Sequence, residues 1–299
     1  MNTNTPMQQQ QMRRATYLAV AAATLLIVIK LIAYLLSGSV SILSSLIDSI
    51  VDLFASGINL FAVAIALQPP DREHRFGHGK AEPIAGLAQA MFISGSAVFL
   101  VIEAASRLLR PEPIQHAGVG IGVMVMSIAI TILLVIYQRR VIAATGSVAI
   151  SADSLHYRSD VLVGLGVIAA LLLDSLLDWR WADPVIALIV AGYILYAAWQ
   201  IGRQALDQLM DRELSDAERE RIQQIVCGHA QVSDLHELRT RASGLSQFIQ
   251  LHLVLQPEMT LHEAHHIAMQ VQQDLQQAYP HADIIIHQDP ADDSGDNAG

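Results

Sequence analysis

The sequence predicts an α-helical membrane protein: six transmembrane helices followed by a small cytoplasmic α+β domain of order αββαβ. Three observations lead there. The chain is 53% hydrophobic and only 15% charged, with a mean hydropathy of +0.39, too apolar for an ordinary soluble fold. Six apolar segments, roughly 15–36, 40–67, 83–107, 117–138, 147–177 and 182–201, are each long enough to cross a hydrocarbon core. Beyond Arg203 the pattern turns amphipathic and alternating, and the whole formal charge of −10 belongs to that last third.

Taken in order, residues 1–14 read as a polar cytoplasmic tail, Gln-rich and ending Arg13-Arg14. The apolar run after it is too long for a signal-peptide core and lacks a convincing cleavage site, so it is a retained first helix. Residues 15–202 form the transmembrane domain, its segments separated by Ser37-Gly38-Ser39, Pro69-Pro70, Pro111-Glu112-Pro113 and the stretch from Asp178 to Pro184. Arg13, Arg14, Arg72, Arg75, Lys80, Arg139, Arg140 and Arg203 fall on one side and only Arg107, Arg110 and Arg180 on the other, which predicts that both termini are cytoplasmic. Gly118, Gly120 and Gly122 in the fourth segment, with Gly164 and Gly166 in the fifth, suit close helix packing. Lys30 is expected to snorkel toward the outer face.

Residues 203–290 form the second domain. Ser215 with Glu218, and Thr260 with Glu263, are capping-box signatures for helices over 215–228 and 260–278. Alternating stretches 232–241 and 245–256 around Ala242-Ser243-Gly244 predict a hairpin, and 282–288 a third strand. The tail 291–299, made of Ala, Asp, Ser, Gly and Asn, is expected to be disordered. The acidic balance of this part excludes nucleic acid as a partner and suits a domain that concentrates cations. The single cysteine, Cys227, excludes an intrachain disulfide and any cysteine-cluster zinc site, leaving 12 histidines and the carboxylates as ligands.

Two polar pairs interrupt the apolar segments. Asp48 and Asp52 in the second, and His156 and Asp160 in the fifth, are spaced four residues apart, so each pair shares one helix face. Ionisable groups cost at least ~2.5 to 3.5 kcal/mol each at the centre of a spanning helix, so two matching pairs need a purpose. With segment 2 running inward and segment 5 outward, Asp48 and Asp52 lie roughly 16 and 10 Å above the inner face, and His156 and Asp160 roughly 14 and 20 Å. The overlap in depth predicts one four-ligand site. One imidazole and three carboxylates suit tetrahedral Zn²⁺, and also accept Cd²⁺, Fe²⁺ or Mn²⁺. Metal and protons would compete for the same atoms there. Asp153, three residues before His156, admits two readings: a supporting or proton-relaying group, or a residue facing the inner interface.

Two further clusters lie outside the apolar segments. Asp71, His74 and His78 share a loop whose glycines allow it to curl onto one ion. In the second domain His236 and His252 stand near opposite each other across the hairpin, and His287 and Asp289 share one face of the third strand. His262, His265 and His266 on the intervening helix add more nitrogen. His262-Glu263-Ala264-His265-His266 also matches the H-E-x-x-H zinc-protease pattern. A membrane-tethered metalloprotease with Glu263 as base, or a membrane-tethered metal sensor, are the alternatives to a carrier. The protease reading leaves the four intramembrane ligands without a role.

On these residues the chain resembles the cation diffusion facilitator family, in its bacterial zinc and ferrous-iron efflux branch. The resemblance runs from the first segment to Asp289 and is most specific at Asp48-x-x-x-Asp52, at His156-Tyr157-Arg158-Ser159-Asp160, and from Asp71 to Lys80. It implies a homodimeric antiporter in the bacterial inner membrane that exports Zn²⁺ against inward protons, with a metallochaperone-like cytoplasmic domain and no organic cofactor. It places Asp48, Asp52, His156 and Asp160 at the transport site, Asp71, His74 and His78 at a loop site, and His236, His252, His265, His287 and Asp289 at a cytoplasmic-domain site. It also matches Lys80 to a charge interlock whose acidic partner is Asp211 or Asp207.

Overall fold

The computed structural model describes residues 4–38, 40–109, 118–177, 179 and 181–291. The Pro111-Glu112-Pro113 turn, Ser39, Arg110, Asp178, Arg180 and the tail beyond Ala291 lie outside the described residues. The chain divides into two compact units, one from Pro6 to Leu206 and the other from Asp207 onward.

The first unit is built of six helices: α1 (Asn4–Ser37), α2 (Val40–Ala66), α3 (Ala81–Leu109), α4 (Gly118–Thr145), α5 (Val148–Leu177) and α6 (Ala182–Leu209). Among the described residues, α1, α2, α3, α4 and α6 each contain a stretch long and apolar enough to cross a membrane by length and composition. At 30 residues α5 is also long enough to span. Helix α1 starts at Asn4, so most of the expected polar tail is helical; Met12 is fully buried with Ala15, Ala19 and Ala23 below it, and Gln8 donates to the Ala144 carbonyl at the end of α4. Helices α4 and α6 likewise run past the apolar windows, because polar residues beyond a core stripe continue a helix as readily as apolar ones.

Helix α5 is the packing centre. A Cβ on Gly164 would sit 3.0 Å from Ile128 of α4, and one on Gly166 3.0 Å from Ile186 of α6. Gly122 has open space around it and serves no such contact. The tightest approach is at Gly86 of α3, where a Cβ would meet Val148 at 2.7 Å. Beside it Glu82, 2% exposed, accepts hydrogen bonds from the Val148 and Ala149 amides and the Ser147 hydroxyl, capping the start of α5.

The second unit contains α7 (Asp216–Cys227), β1 (Val232–Ser243), β2 (Ser246–Leu255), α8 (Leu261–Ala278) and β3 (Ala282–Pro290). The sheet order is β1-β2-β3, with β1 antiparallel and β3 parallel to β2, so α8 is the crossover that a parallel pair requires. Gly244 supplies the positive φ of the two-residue hairpin link. Alternation on β2 puts Ile249, Leu251, Leu253 and Leu255 into one core with Ile222 and Val226 of α7 and Ile267, Val271 and Leu275 of α8. Each such fully buried aliphatic side chain contributes about 1.5–3 kcal/mol of transfer free energy. Thr260 and Glu263 form the full capping box, whereas Ser215 accepts from the Glu218 amide without the reciprocal bond.

Candidate metal sites

Inside the first unit, α2 and α5 bring Asp52, His156 and Asp160 together, one ligand atom of each lying within 4.8 Å of the others. His156 Nε2 is 2.8 Å from Asp52 Oδ1, and Phe92 stands edge-on to the imidazole with ring centroids 6.2 Å apart. Asp48, one turn from Asp52, is not part of this close triad but lines the same cavity of about 720 Å³. The expected four-residue set therefore shares one chamber, with three members gathered and the fourth on its wall.

The chamber holds a group that the sequence did not place there. Lys30 is 9% exposed, and its ammonium donates to the Ser45 carbonyl at 3.0 Å and to Ser49 Oγ at 2.6 Å. It lines the cavity with the aspartates instead of snorkelling outward, because α2 offers two acceptors closer than the interface. With Glu103 also on its wall, the chamber carries four carboxylates and one ammonium, an acidic lining that favours a cation.

Asp153 is 1% exposed and so does not face the inner interface. It accepts from Gln138 Nε2 at 2.7 Å, Ser56 Oγ at 3.2 Å and Gln89 Nε2 at 3.4 Å. Tyr157 shares a 2.8 Å hydrogen bond with Ser56 and donates to the Ala19 carbonyl at 3.3 Å. Five helices, α1 to α5, thus meet in one polar hub about a turn from His156. A carboxylate at helical spacing signals the hub, but its partners are scattered over the chain and had no local pattern to betray them.

In the loop before α3, Asp71, His74 and His78 also gather their ligand atoms within 4.8 Å. Asp71 Oδ1 accepts from the His74 and Glu73 amides at 2.6 and 2.9 Å, and Oδ2 lies 3.2 Å from His78 Nε2. The His74 amide leads in holding the Asp71 carboxyl below its ordinary range, with the Glu73 amide and the two imidazoles adding to it. An acceptor kept ionised beside two imidazoles is a cation site in outline.

On the sheet, His236 pairs with His252 and His252 with His287, a row of imidazoles across three strands. Asp289 ties the row together: His252 Nδ1 at 2.8 Å and His236 Nε2 at 3.2 Å on Oδ2, His287 Nε2 at 3.1 Å on Oδ1. Burial pushes the Asp289 carboxyl up, but the His252 hydrogen bond and the charges of His287, His252 and His236 outweigh it and hold it below the usual range. The row occupies the face opposite the helices, since core residues and His252 alternate along β2.

For that reason His265, exposed on α8, is not brought to the row, and His262 and His266 are exposed beside it. Glu237 is the residue that sequence missed: a bulge between His236 and Arg239 gives it φ 47° and sets its carboxylate 3.8 Å from His252. Glu263 is held by the Thr260 amide and hydroxyl at 2.8 and 2.7 Å, an engaged capping group and no free base. Of the interlock candidates, Asp211 accepts from Arg241 at 3.1 Å and Asp207 pairs with Arg212.

Comparison with known proteins adds the following. Residues 16–210 match a family profile described as the cation efflux transmembrane domain, and 214–291 one described as the cation efflux protein cytoplasmic domain. The chain is 49% identical over 277 residues to the cation-efflux pump FieF of Salmonella choleraesuis (strain SC-B67), covering 93% of this chain and 92% of that one. The FieF of Salmonella typhimurium (strain LT2) matches with the same identity and coverage. The metal-bound C-terminal domain of the CzcD transporter from Thermotoga maritima is 20% identical, covers 26% of this chain and 94% of its own, and superposes with a TM-score of 0.24.

Proposed function

The chain belongs to the cation efflux family as a multi-pass, divalent-metal efflux transporter and not an enzyme, and from that premise we propose that it exchanges Zn²⁺ for protons at Asp48, Asp52, His156 and Asp160. The observation that carries the proposal is the meeting of Asp52, His156 and Asp160 within 4.8 Å in an intramembrane chamber. A dehydrated Zn²⁺ takes one imidazole nitrogen and carboxylate oxygens in tetrahedral array. Protons arriving from the opposite side take the same atoms and favour release, while rocking of the helices exposes the chamber alternately to each side. Cd²⁺ and Fe²⁺ fit the same donor set and are the further substrates.

The working form is a homodimer in the inner membrane with both termini in the cytoplasm. The row of His236, His252 and His287 on Asp289 is a regulatory metal site, and Asp71, His74 and His78 form a loop site. Metal at the sheet couples to transport only through different affinities for the carrier's states. His265 joins this cytoplasmic-domain site from outside the row, through a second ion.

Uptake into proteoliposomes under an imposed pH gradient tests the assignment and ranks Zn²⁺, Cd²⁺ and Fe²⁺. Uptake that collapses with the gradient is expected. Gradient-independent uptake would overturn proton coupling.

A further inference from the structure

We propose that a polar pocket between α4, α5 and α6, separate from the transport chamber, binds the phosphate of an anionic phospholipid headgroup. The pocket, about 350 Å³, is lined by Arg139, Ser151, Ser154, Arg158, Gln200 and Gln204 together with apolar side chains. Its three walls follow from helical spacing: Ser151, Ser154 and Arg158 share a face of α5, Gln200 and Gln204 a face of α6, and Arg139 stands near the end of α4. Helical side chains lean toward the N-terminus, so Arg158 reaches back over Ser154 toward the end of the unit where α5 begins.

The chemistry of this lining is one-sided. Two guanidiniums, two hydroxyls and two amides can all donate, and no carboxylate lines the pocket among the described residues. Ser154 is 1% exposed and its hydroxyl has no partner; the Arg158 Nε is likewise buried and unpartnered. Neither Arg139 nor Arg158 forms an ion pair among the described residues. Donors buried without acceptors cost free energy unless something brings acceptors to them. An anion with several oxygens does so, and paired arginines suit a phosphate fork to fork.

The surroundings favour a lipid as the source of that phosphate. Within about a turn of the lining residues Arg139 and Gln200, Ile136, Tyr196 and Trp199 are 47%, 61% and 69% exposed. Tyr196 accepts a 2.8 Å hydrogen bond from Gln200, so the aromatic surface is continuous with the polar lining. Amphipathic aromatics at a membrane unit's end mark the headgroup level, and basic pockets between spanning helices take anionic headgroups. Acyl chains would continue over the exposed apolar flank.

The test uses the full-length protein, delipidated in detergent and titrated with phosphatidylglycerol, phosphatidylcholine or inorganic phosphate, with adducts counted by native mass spectrometry. One phosphatidylglycerol per chain is expected, held about thirtyfold more tightly than phosphatidylcholine, as two arginines beside an anionic headgroup imply. Arg139→Gln with Arg158→Gln should abolish the preference, and millimolar inorganic phosphate should not displace the lipid. Equal retention by wild type and the double variant would overturn the proposal. Displacement by inorganic phosphate would overturn the lipid assignment. Should the double variant misfold, photo-crosslinking of wild type with a diazirine-bearing phosphatidylglycerol decides: labelling at 139–158 and 200–204 supports the site, and its absence there refutes it.

Discussion

Asp289→Asn separates metal binding from folding in the cytoplasmic unit. In the wild type both carboxylate oxygens are used, Oδ2 by His236 and His252 and Oδ1 by His287, at 2.8 to 3.2 Å. The Asp289 side chain is 28% exposed and those of His236 and His287 are 38% and 63% exposed, so without metal the contacts are solvent-screened. Their loss should cost about 1 kcal/mol or less, since asparagine keeps one oxygen acceptor. Metal is a different matter. Removing a group that merely orients a ligand costs about 10–100-fold in affinity, so removing the one anion at the centre of the row should cost at least about 100-fold, or about 2.7 kcal/mol. Isothermal titration of the full-length protein with Zn²⁺ at pH 8, paired with thermal melting of the metal-free protein, reads both numbers. A variant that binds at the wild-type stoichiometry and affinity would refute the row as a metal site. One that melts far lower without metal would show that the carboxylate is structural.

Further expectations follow from the same geometry. Lys30→Met removes a positive charge from the chamber; at an effective dielectric near 20 and a separation of about 10 Å its repulsion of a divalent ion is about 3 kcal/mol, so Zn²⁺ should bind about a hundredfold more tightly at neutral pH, and unchanged affinity would discount the charge. Gly86→Ala forces a methyl to 2.7 Å from Val148 and should destabilise the protein by about 1–3 kcal/mol in detergent melts, with Val148→Ala in the same chain restoring part of it. Glu263→Gln should leave transport intact and lower the stability of α8. The Glu263 and Asp289 carboxyls are both held below their ordinary values, Glu263 chiefly by the Thr260 amide. Their contribution is therefore present above the unfolded-state values and lost as pH falls through the folded ones. The gap in melting temperature between each variant and wild type should be widest above the ordinary carboxylate range and narrow steadily as pH falls below it; a gap that stays constant through acid pH would contradict this.

The periodicities carried most of the architecture. Six apolar segments became six helices because a span has to be continuous, and the alternation at 245–256 placed His252 opposite the core. The grouping of the candidate ligands was legible where spacing alone sets geometry: four residues on a helix for His156 and Asp160, two on a strand for His287 and Asp289, neighbouring strands for His236 and His252. What escaped depended on partners remote in sequence. Lys30 turned inward for Ser45 and Ser49, Glu82 capped α5, and Asp153 collected amides and a hydroxyl from three other helices. Glu237 was hidden because a bulge is a tertiary accident of register. His265 stands apart from the row for the opposite reason: composition grouped it with the other histidines, but α8 packs on the other face of the sheet.

The central claim is that one intramembrane set of ligands carries metal and protons in exchange. Proteoliposomes loaded with a zinc indicator and a pH indicator report both fluxes at once, for wild type and for Asp160→Ala. Zinc entry and proton exit should be coupled in the wild type and vanish together in the variant; zinc entry that survives the loss of Asp160 would contradict the account.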